Sequence, residues 1–206
     1  MALSKPRVGV FGGAFDPPHN AHVALAQEAL VQLDLAELRI FPTGQAWHKD
    51  RALSAADDRL AMARLAFEGL ANTVVDAREI LRPGPTYTLD TLRELQREQP
   101  AAQLVLIMGA DQASSLPRWH GWEEILSTAI ISVAFRATST GSAGPFDPKN
   151  LPSAPSGARF EKLELQPMDT SATDIRARAA RGEDLRGLVP AAVARYIEQH
   201  HLYRSA

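Results

Sequence analysis

Short, almost wholly apolar runs alternate along this chain with longer stretches whose apolar positions recur at helical spacing. Arg7–Phe11 (RVGVF) is ended by Gly12 and Gly13, and Leu104–Met108 (LVLIM) is too continuous to alternate between a wet and a dry face. Both patterns predict strands buried on two sides. Leu38–Phe41, Thr73–Asp76, Ile130–Phe135 and Phe160–Leu165 predict further strands, and Arg78–Leu81 a short additional one. Between the first two, Asn20–Leu33 places Val23, Ala26, Ala29, Leu30 and Leu33 on one helical face. Ser54 as N-cap, with Asp57 and Asp58 in the first turn, predicts a helix reaching Leu70. Its apolar face reads Leu60, Ala63, Leu65, Phe67 and Leu70. Thr86–Gln99, Gly121–Thr128, Ser171–Arg181 and Pro190–His200 predict the remaining helices, the last with Pro at its first position.

This alternation of strand and helix predicts an α/β fold, a doubly wound parallel sheet with right-handed crossovers. The whole of 1–206 reads as one domain, with a short helical extension from Ser171. Residues 137–159 are rich in Ser, Gly and Pro, which predicts a long mobile loop. In such sheets ligands bind beyond the carboxyl ends of the strands, so the informative residues should follow strands.

Composition narrows the chemistry. With 45% hydrophobic and 22% charged residues, the 206-residue chain can build an ordinary core. A formal net charge of −2 argues against coating nucleic acid, while leaving room for a local basic pocket. The chain has no cysteine, which excludes disulfides, thiolate nucleophiles and Cys-ligated metals. No apolar run reaches the ~18 residues of a membrane span, and the start lacks a leader pattern. The expected setting is the cytoplasm.

The first turn after a strand is Gly12-Gly13-Ala14-Phe15-Asp16-Pro17-Pro18-His19-Asn20-Ala21-His22. Two glycines let backbone approach a ligand closely, and prolines fix the chain as it enters a helix whose free N–H groups favour an anion. His19 and His22 share a face there and can donate to phosphate oxygens in either protonation state. A structural turn with two surface histidines is the plainer alternative, and His-x-x-His can also chelate a metal. The turn lacks the Lys-Ser/Thr of a P-loop and the third glycine of a dinucleotide fingerprint. Asp16 and Asp90 read as turn or cap residues, and His200 and His201 as surface ones.

Three later positions carry similar pairs of readings. Ser171 with Asp174 three residues on is an ordinary helix cap, while Arg176 one turn inside adds a fork shaped for phosphate oxygens. Both roles can hold together. Trp119 is either a core anchor, as Trp122 reads, or a stacking surface for a planar ring. Asp111, after the strand and Gly109, either caps the next helix or accepts from ribose hydroxyls.

The Gly12–His22 turn resembles the GGxFDPxHxxH form of the (T/H)xGH signature of nucleotidyltransferases. Gly84-Pro85-Thr86-Tyr87-Thr88-Leu89-Asp90-Thr91-Leu92, Gly109-Ala110-Asp111 and Leu116-Pro117-Arg118-Trp119-His120 narrow the resemblance to bacterial nicotinate-nucleotide adenylyltransferases. Ser171-Ala172-Thr173-Asp174-Ile175-Arg176 resembles their ISSTxxR motif, and Leu188-Val189-Pro190 through Leu202-Tyr203-Arg204 their tail. The resemblance covers nearly the whole chain except 137–159. It implies a Rossmann-like nucleotidyltransferase fold and adenylyl transfer from ATP to nicotinate mononucleotide in NAD biosynthesis, giving deamido-NAD and pyrophosphate. Mg²⁺ would arrive bound to ATP, with no protein metal site.

Residue by residue, the resemblance implies His19, His22 and Arg176 as catalytic. It implies Gly12, Gly13, Ala14, Phe15, Gly109, Asp111 and Ser171 at ATP. His48, Lys49, Thr86 and Trp119 would serve the mononucleotide, Trp119 lying against its pyridine ring. For His48-Lys49 an exposed loop charge is an equal alternative. Ala14 stands where the family has Thr or Ser, Ala21 replaces a glycine between the histidines, and Ala172 replaces a serine. These departures bear on affinity, not on reaction class. Other readings are the same chemistry on nicotinamide mononucleotide or phosphopantetheine, or a non-catalytic nucleotide sensor. ATP and the mononucleotide are the expected partners, without nucleic acid or membrane, and monomer and homodimer both stay open.

Overall fold

The computed structural model describes residues 5–44, 53–136, 146–152, 154–166, 168 and 170–204. Six strands, β1 (Arg7–Gly13), β2 (Glu37–Pro42), β3 (Thr73–Val75), β4 (Gln103–Gly109), β5 (Ala129–Arg136) and β6 (Phe160–Leu165), form one parallel sheet in the order β3-β2-β1-β4-β5-β6. The β1–β4 register pairs Val8 with Leu104 and Phe11 with Ile107. Here the connections reverse direction, with β2 and β3 to one side of β1 and β5 and β6 beyond β4. Such a switch point leaves a crevice outside the strand ends.

The helices are α1 (Asn20–Gln32), α2 (Ala56–Phe67), α3 (Arg78–Leu81), α4 (Thr88–Glu98), α5 (Ala110–Ser115), α6 (Trp122–Thr128), α7 (Ala172–Ala180) and α8 (Ala191–Gln199). The chain divides into two compact units. The first comprises Met1–Gly12, Ala26–Arg39 and Tyr87–Pro167. Leu104–Met108, Ile130, Ile131 and Val133 are buried in its core, against Leu92, Leu95 and Ile125 from α4 and α6. The second comprises Gly13–Leu25, Ile40–Thr86 and Met168–Ala206. Its core takes Met62, Ala63 and Phe67 from α2 and Val193 and Ile197 from α8.

Four local expectations are corrected. Arg78–Leu81 is a helical turn, not a strand. The Asp76 carboxylate accepts from the Arg78 N–H at 3.0 Å and also pairs with its guanidinium, which turns the chain at once. Ser54 does not cap α2, because Ala55 holds the cap position. The Ser54 N–H and carbonyl are instead used by Asp16 and Arg59. The buried face of α2 is Arg59, Met62, Ala63, Ala66 and Phe67, because burial of Arg59 rotates the helix away from the expected Leu60 and Leu65. Pro190 sits at the cap of α8, one position before its first helical residue.

Part of the loop expected over 137–159 is described, and there Pro148–Asn150 forms a 3₁₀ turn capped by Asp147. Residues 137–145 and 153 lie outside the described residues. No helix among the described residues is long and apolar enough to cross a membrane.

Candidate active site

In the second unit the turn after β1 brings two imidazoles together. The His19 and His22 rings stack with centroids 3.7 Å apart and planes 28° from parallel. His22 is placed from three sides. Phe15, 1% exposed, meets it edge-on at 5.2 Å, His19 lies against its face, and its Nδ1 accepts from the His19 N–H at 3.2 Å. That hydrogen bond makes Nδ1 the acceptor, so neutral His22 carries its proton on Nε2.

Three backbone donors at this helix start are already used. The His19 N–H serves His22, the Asn20 N–H donates to Leu188 O at 2.9 Å, and the His22 N–H returns to His19 O at 2.8 Å. The Asn20 side chain adds a bond to Gly187 O at 2.8 Å. This corrects the expectation of free N–H groups at the turn for those three residues. Side-chain donors carry the cationic character here.

Arg176 supplies the strongest of them. Its Nη1 donates to the Asp16 carbonyl at 2.8 Å and its Nη2 to Thr173 Oγ1 at 3.0 Å, which brings the guanidinium to the same turn as the histidines. Ser171 Oγ accepts from the Asp174 N–H at 3.1 Å and donates to its carboxylate at 2.8 Å. The cap reading of Ser171 therefore holds. Arg178 and Arg181 point to solvent and pair with Glu183.

Asp16 is 2% exposed and is the hub of the turn. Its carboxylate accepts from Tyr203 Oη at 2.7 Å and from the Ser54 N–H at 3.3 Å. Burial first, then the Asp16 charge, pushes the Tyr203 phenol far above its ordinary value, so it stays a donor. Arg59, also 2% exposed, ties three segments through carbonyls. Its guanidinium donates to Ala14 O at 3.0 Å, Thr43 O at 2.6 Å, Gly44 O at 3.3 Å and Ser54 O at 3.1 Å. Sequence reasoning missed Arg59 altogether, because an arginine among helix charges carries no mark of burial. Tyr203 had one signal, its place in the Leu-Tyr-Arg tail.

Thr86 lies in this unit, buried, its hydroxyl donating to Glu79 O at 3.4 Å and packing where a Cβ on Gly44 would stand. Gly13 is needed for the turn, since a Cβ there would press on the Phe15 ring at 3.0 Å. His48 and Lys49 lie outside the described residues.

In the first unit, Gly12 lies one residue before the end of β1 and Gly109 ends the neighbouring β4. Among the described residues, a Cβ on either would meet nothing within 4 Å. Gly109 also has an ordinary extended backbone, φ −76° and ψ 161°, that any residue adopts. No described neighbour demands glycine at these two positions, which suits close approach of a ligand. The Gly109 N–H donates to Gln112 Oε1 at 3.3 Å, so Gly109, not Asp111, occupies the cap position of α5. Asp111 is exposed in the first turn. Trp119 is half-buried, its indole N–H donating to Ser115 Oγ at 3.4 Å, whereas Trp122 is buried in the core as expected. Beside it, the Tyr87 and His120 rings pack at 4.5 Å.

Among the described residues there is no group of three or more His, Cys, Asp or Glu that could hold a metal ion. The donors gathered at the turn are imidazoles and a guanidinium, which suit anionic oxygens.

A parallel sheet in this order, with a glycine turn leading into paired histidines, defines a nucleotidyltransferase class, and a family model described as cytidylyltransferase-like matches residues 10–178. A probable nicotinate-nucleotide adenylyltransferase of Albidiferax ferrireducens is 54% identical over 200 residues, covering 97% of this chain and 99% of the relative. Another of the same name, from Methylibium petroleiphilum, is 43% identical over 206 residues, covering 98% and 94%. The fold is also that of Plasmodium falciparum nicotinic acid mononucleotide adenylyltransferase complexed with NaAD, with TM-score 0.74 at 15% identity over 96% of this chain and 97% of that one. The chain belongs to the cytidylyltransferase-like family and, within it, to the nicotinate-nucleotide adenylyltransferases.

Proposed function

We propose that this chain transfers the adenylyl group of ATP to nicotinate mononucleotide, giving deamido-NAD and pyrophosphate. The observation that carries the mechanism is the convergence of His19, His22 and Arg176 on one turn, with no nucleophile and base pair beside them among the described residues. The reaction needs neither. The mononucleotide phosphate is already an anion at neutral pH, and one of its oxygens attacks the α-phosphorus of ATP. The new P–O bond forms as the bond between the α-phosphorus and the bridging oxygen breaks, and pyrophosphate leaves with that electron pair. The barrier lies in alignment and in crowding of negative charge.

The chain's own contribution follows from its donors. His22, through its Nε2–H, and His19 donate to the ATP phosphates, and Arg176 takes charge that builds on the leaving pyrophosphate. Mg²⁺ bound to ATP would neutralise further phosphate charge, and the donor set described here leaves that ion to phosphate and water oxygens. Gly12, Gly13, Ala14 and Phe15 let the backbone lie close to ATP, and Ser171 holds the helix that presents Arg176. Gly109 and Asp111 serve the nucleoside of ATP, the carboxylate accepting from ribose. Thr86, Trp119, His48 and Lys49 serve the mononucleotide, Trp119 by stacking on the pyridine ring. Cytoplasmic NAD biosynthesis is the setting that this substrate pair supports.

The test is product identity. Incubation with ATP, Mg²⁺ and an equimolar mixture of nicotinate and nicotinamide mononucleotides should yield chiefly deamido-NAD by mass spectrometry. NAD as the main product would overturn the acid preference and keep the chemistry. No dinucleotide at all would overturn the reading.

A further inference from the structure

The carboxyl-terminal tyrosine is joined to the turn that carries the histidines by a chain of short hydrogen bonds. Tyr203 Oη donates to Asp16 Oδ1 at 2.7 Å, and the carbonyl of the same Asp16 accepts from Arg176 Nη1 at 2.8 Å. The Ser54 N–H holds the second carboxylate oxygen at 3.3 Å, so Asp16 is gripped from two sides. Two backbone observations mark the same place. Phe15, next to Asp16, has φ +47°, and Tyr203 itself has φ +66°. A residue in that left-handed region is strained and persists only where surrounding contacts over-determine it. Tyr203 meets that strain while placing its hydroxyl on a buried carboxylate.

We infer that Tyr203 is a positioning residue for the adenylyl transfer. It fixes Asp16, and through the Asp16 carbonyl it fixes where the Arg176 guanidinium lies. The argument runs from geometry to chemistry. A guanidinium on a flexible stem is useful to a crowded phosphate transition state only if its fork is already aimed. One of its nitrogens is spent on the Asp16 carbonyl, so the aim depends on that carbonyl's position. The peptide of Asp16 is in turn held by the carboxylate that Tyr203 and Ser54 secure. Removing the phenolic hydroxyl takes the 2.7 Å hydrogen bond from Asp16 and loosens the aim of the fork while leaving the ring's packing in place.

This inference rests on the adenylyl-transfer reading, and the experiment separates the two. Pyrophosphate release with ATP, Mg²⁺ and nicotinate mononucleotide is measured for the wild type, Tyr203→Phe, Arg176→Lys and the double variant, with urea unfolding of each. Misplacement of a charge-bearing group by a remote change lowers turnover by about 10- to 100-fold. The expected result is a fall of that size in kcat for Tyr203→Phe, with KM for ATP within about twofold. In the Arg176→Lys background the same change should cost less than about twofold, since the planar fork it positions is gone. Tyr203→Leu, which also removes the ring, should lower the unfolding midpoint further but kcat no further. A purely structural tyrosine would give equal losses in both backgrounds, following the unfolding midpoints, and would overturn the inference alone. An inactive wild type would remove both the inference and the reading on which it stands.

Discussion

Ser132 stands in the middle of β5, fully buried, and its hydroxyl has no hydrogen-bond partner among the described residues. A buried hydroxyl without a partner carries a desolvation cost of roughly 1–3 kcal/mol in mutational data. Ser132→Ala should therefore be neutral or stabilising, read from the urea midpoint at unchanged slope. A loss above about 1 kcal/mol would show that the hydroxyl is satisfied after all. The tyrosines give a pH test at the same scale. Burial, then the hydrogen bond to Asp58, pushes Tyr196 up to about 12, and Tyr203 is raised beyond it. Both folded-state values lie above the ordinary phenol value near 10. The stability each contributes is thus complete below about pH 10 and is lost as pH rises through the folded value. Tyrosinate absorbance of the folded chain should lag that of the denatured chain, and Tyr196→Phe with Tyr203→Phe should abolish most of the lag. Coincident curves in the wild type would contradict the environments assigned to both.

Among the elements, α2 shows most clearly what sequence patterning can and cannot reveal. Its existence is legible from Asp57 and Asp58 in the first turn, but its phase is not. Arg59 turns inward to four carbonyls of the second unit, a demand set by backbone far away in sequence. Arg59→Met would take the donor from four part-buried carbonyls at once and should lower stability by about 1–3 kcal/mol. Arg59→Met unfolding like the wild type would refute the clamp. α3 was read as a strand because four residues hold too little pattern to distinguish the two, and the Asp76 carboxylate decides it. By contrast β1 and β4 are legible, since short apolar runs such as RVGVF and LVLIM closed by glycine suit strands covered on both faces. Gly44 is a similar case of hidden geometry. A Cβ there would strike the Glu79 carbonyl and meet Thr86 Oγ1 at 2.8 Å, so Gly44→Ala should cost about 1–3 kcal/mol by overpacking. An unchanged melting temperature would contradict that.

For the molecule as a whole, strand order and site chemistry are separate pieces of information. The alternation of elements predicts a parallel sheet but not the order β3-β2-β1-β4-β5-β6, which depends on crossovers that leave no local trace. From the sequence, candidate residues can be named where residue type alone carries chemistry, as for His19, His22 and Arg176. The contacts of Asp16, Arg59 and Tyr203 cannot be read there, because they join segments distant along the chain. The central claim is that the cationic turn stabilises phosphate charge in an adenylyl transfer needing no general base. Its most direct test is pyrophosphate release from ATP and nicotinate mononucleotide by the wild type and His22→Ala, with circular dichroism confirming the fold. Loss of one such preorganised donor costs about 10²–10³ in kcat, and that is the expected fall. Release by His22→Ala at the wild-type rate would contradict the account.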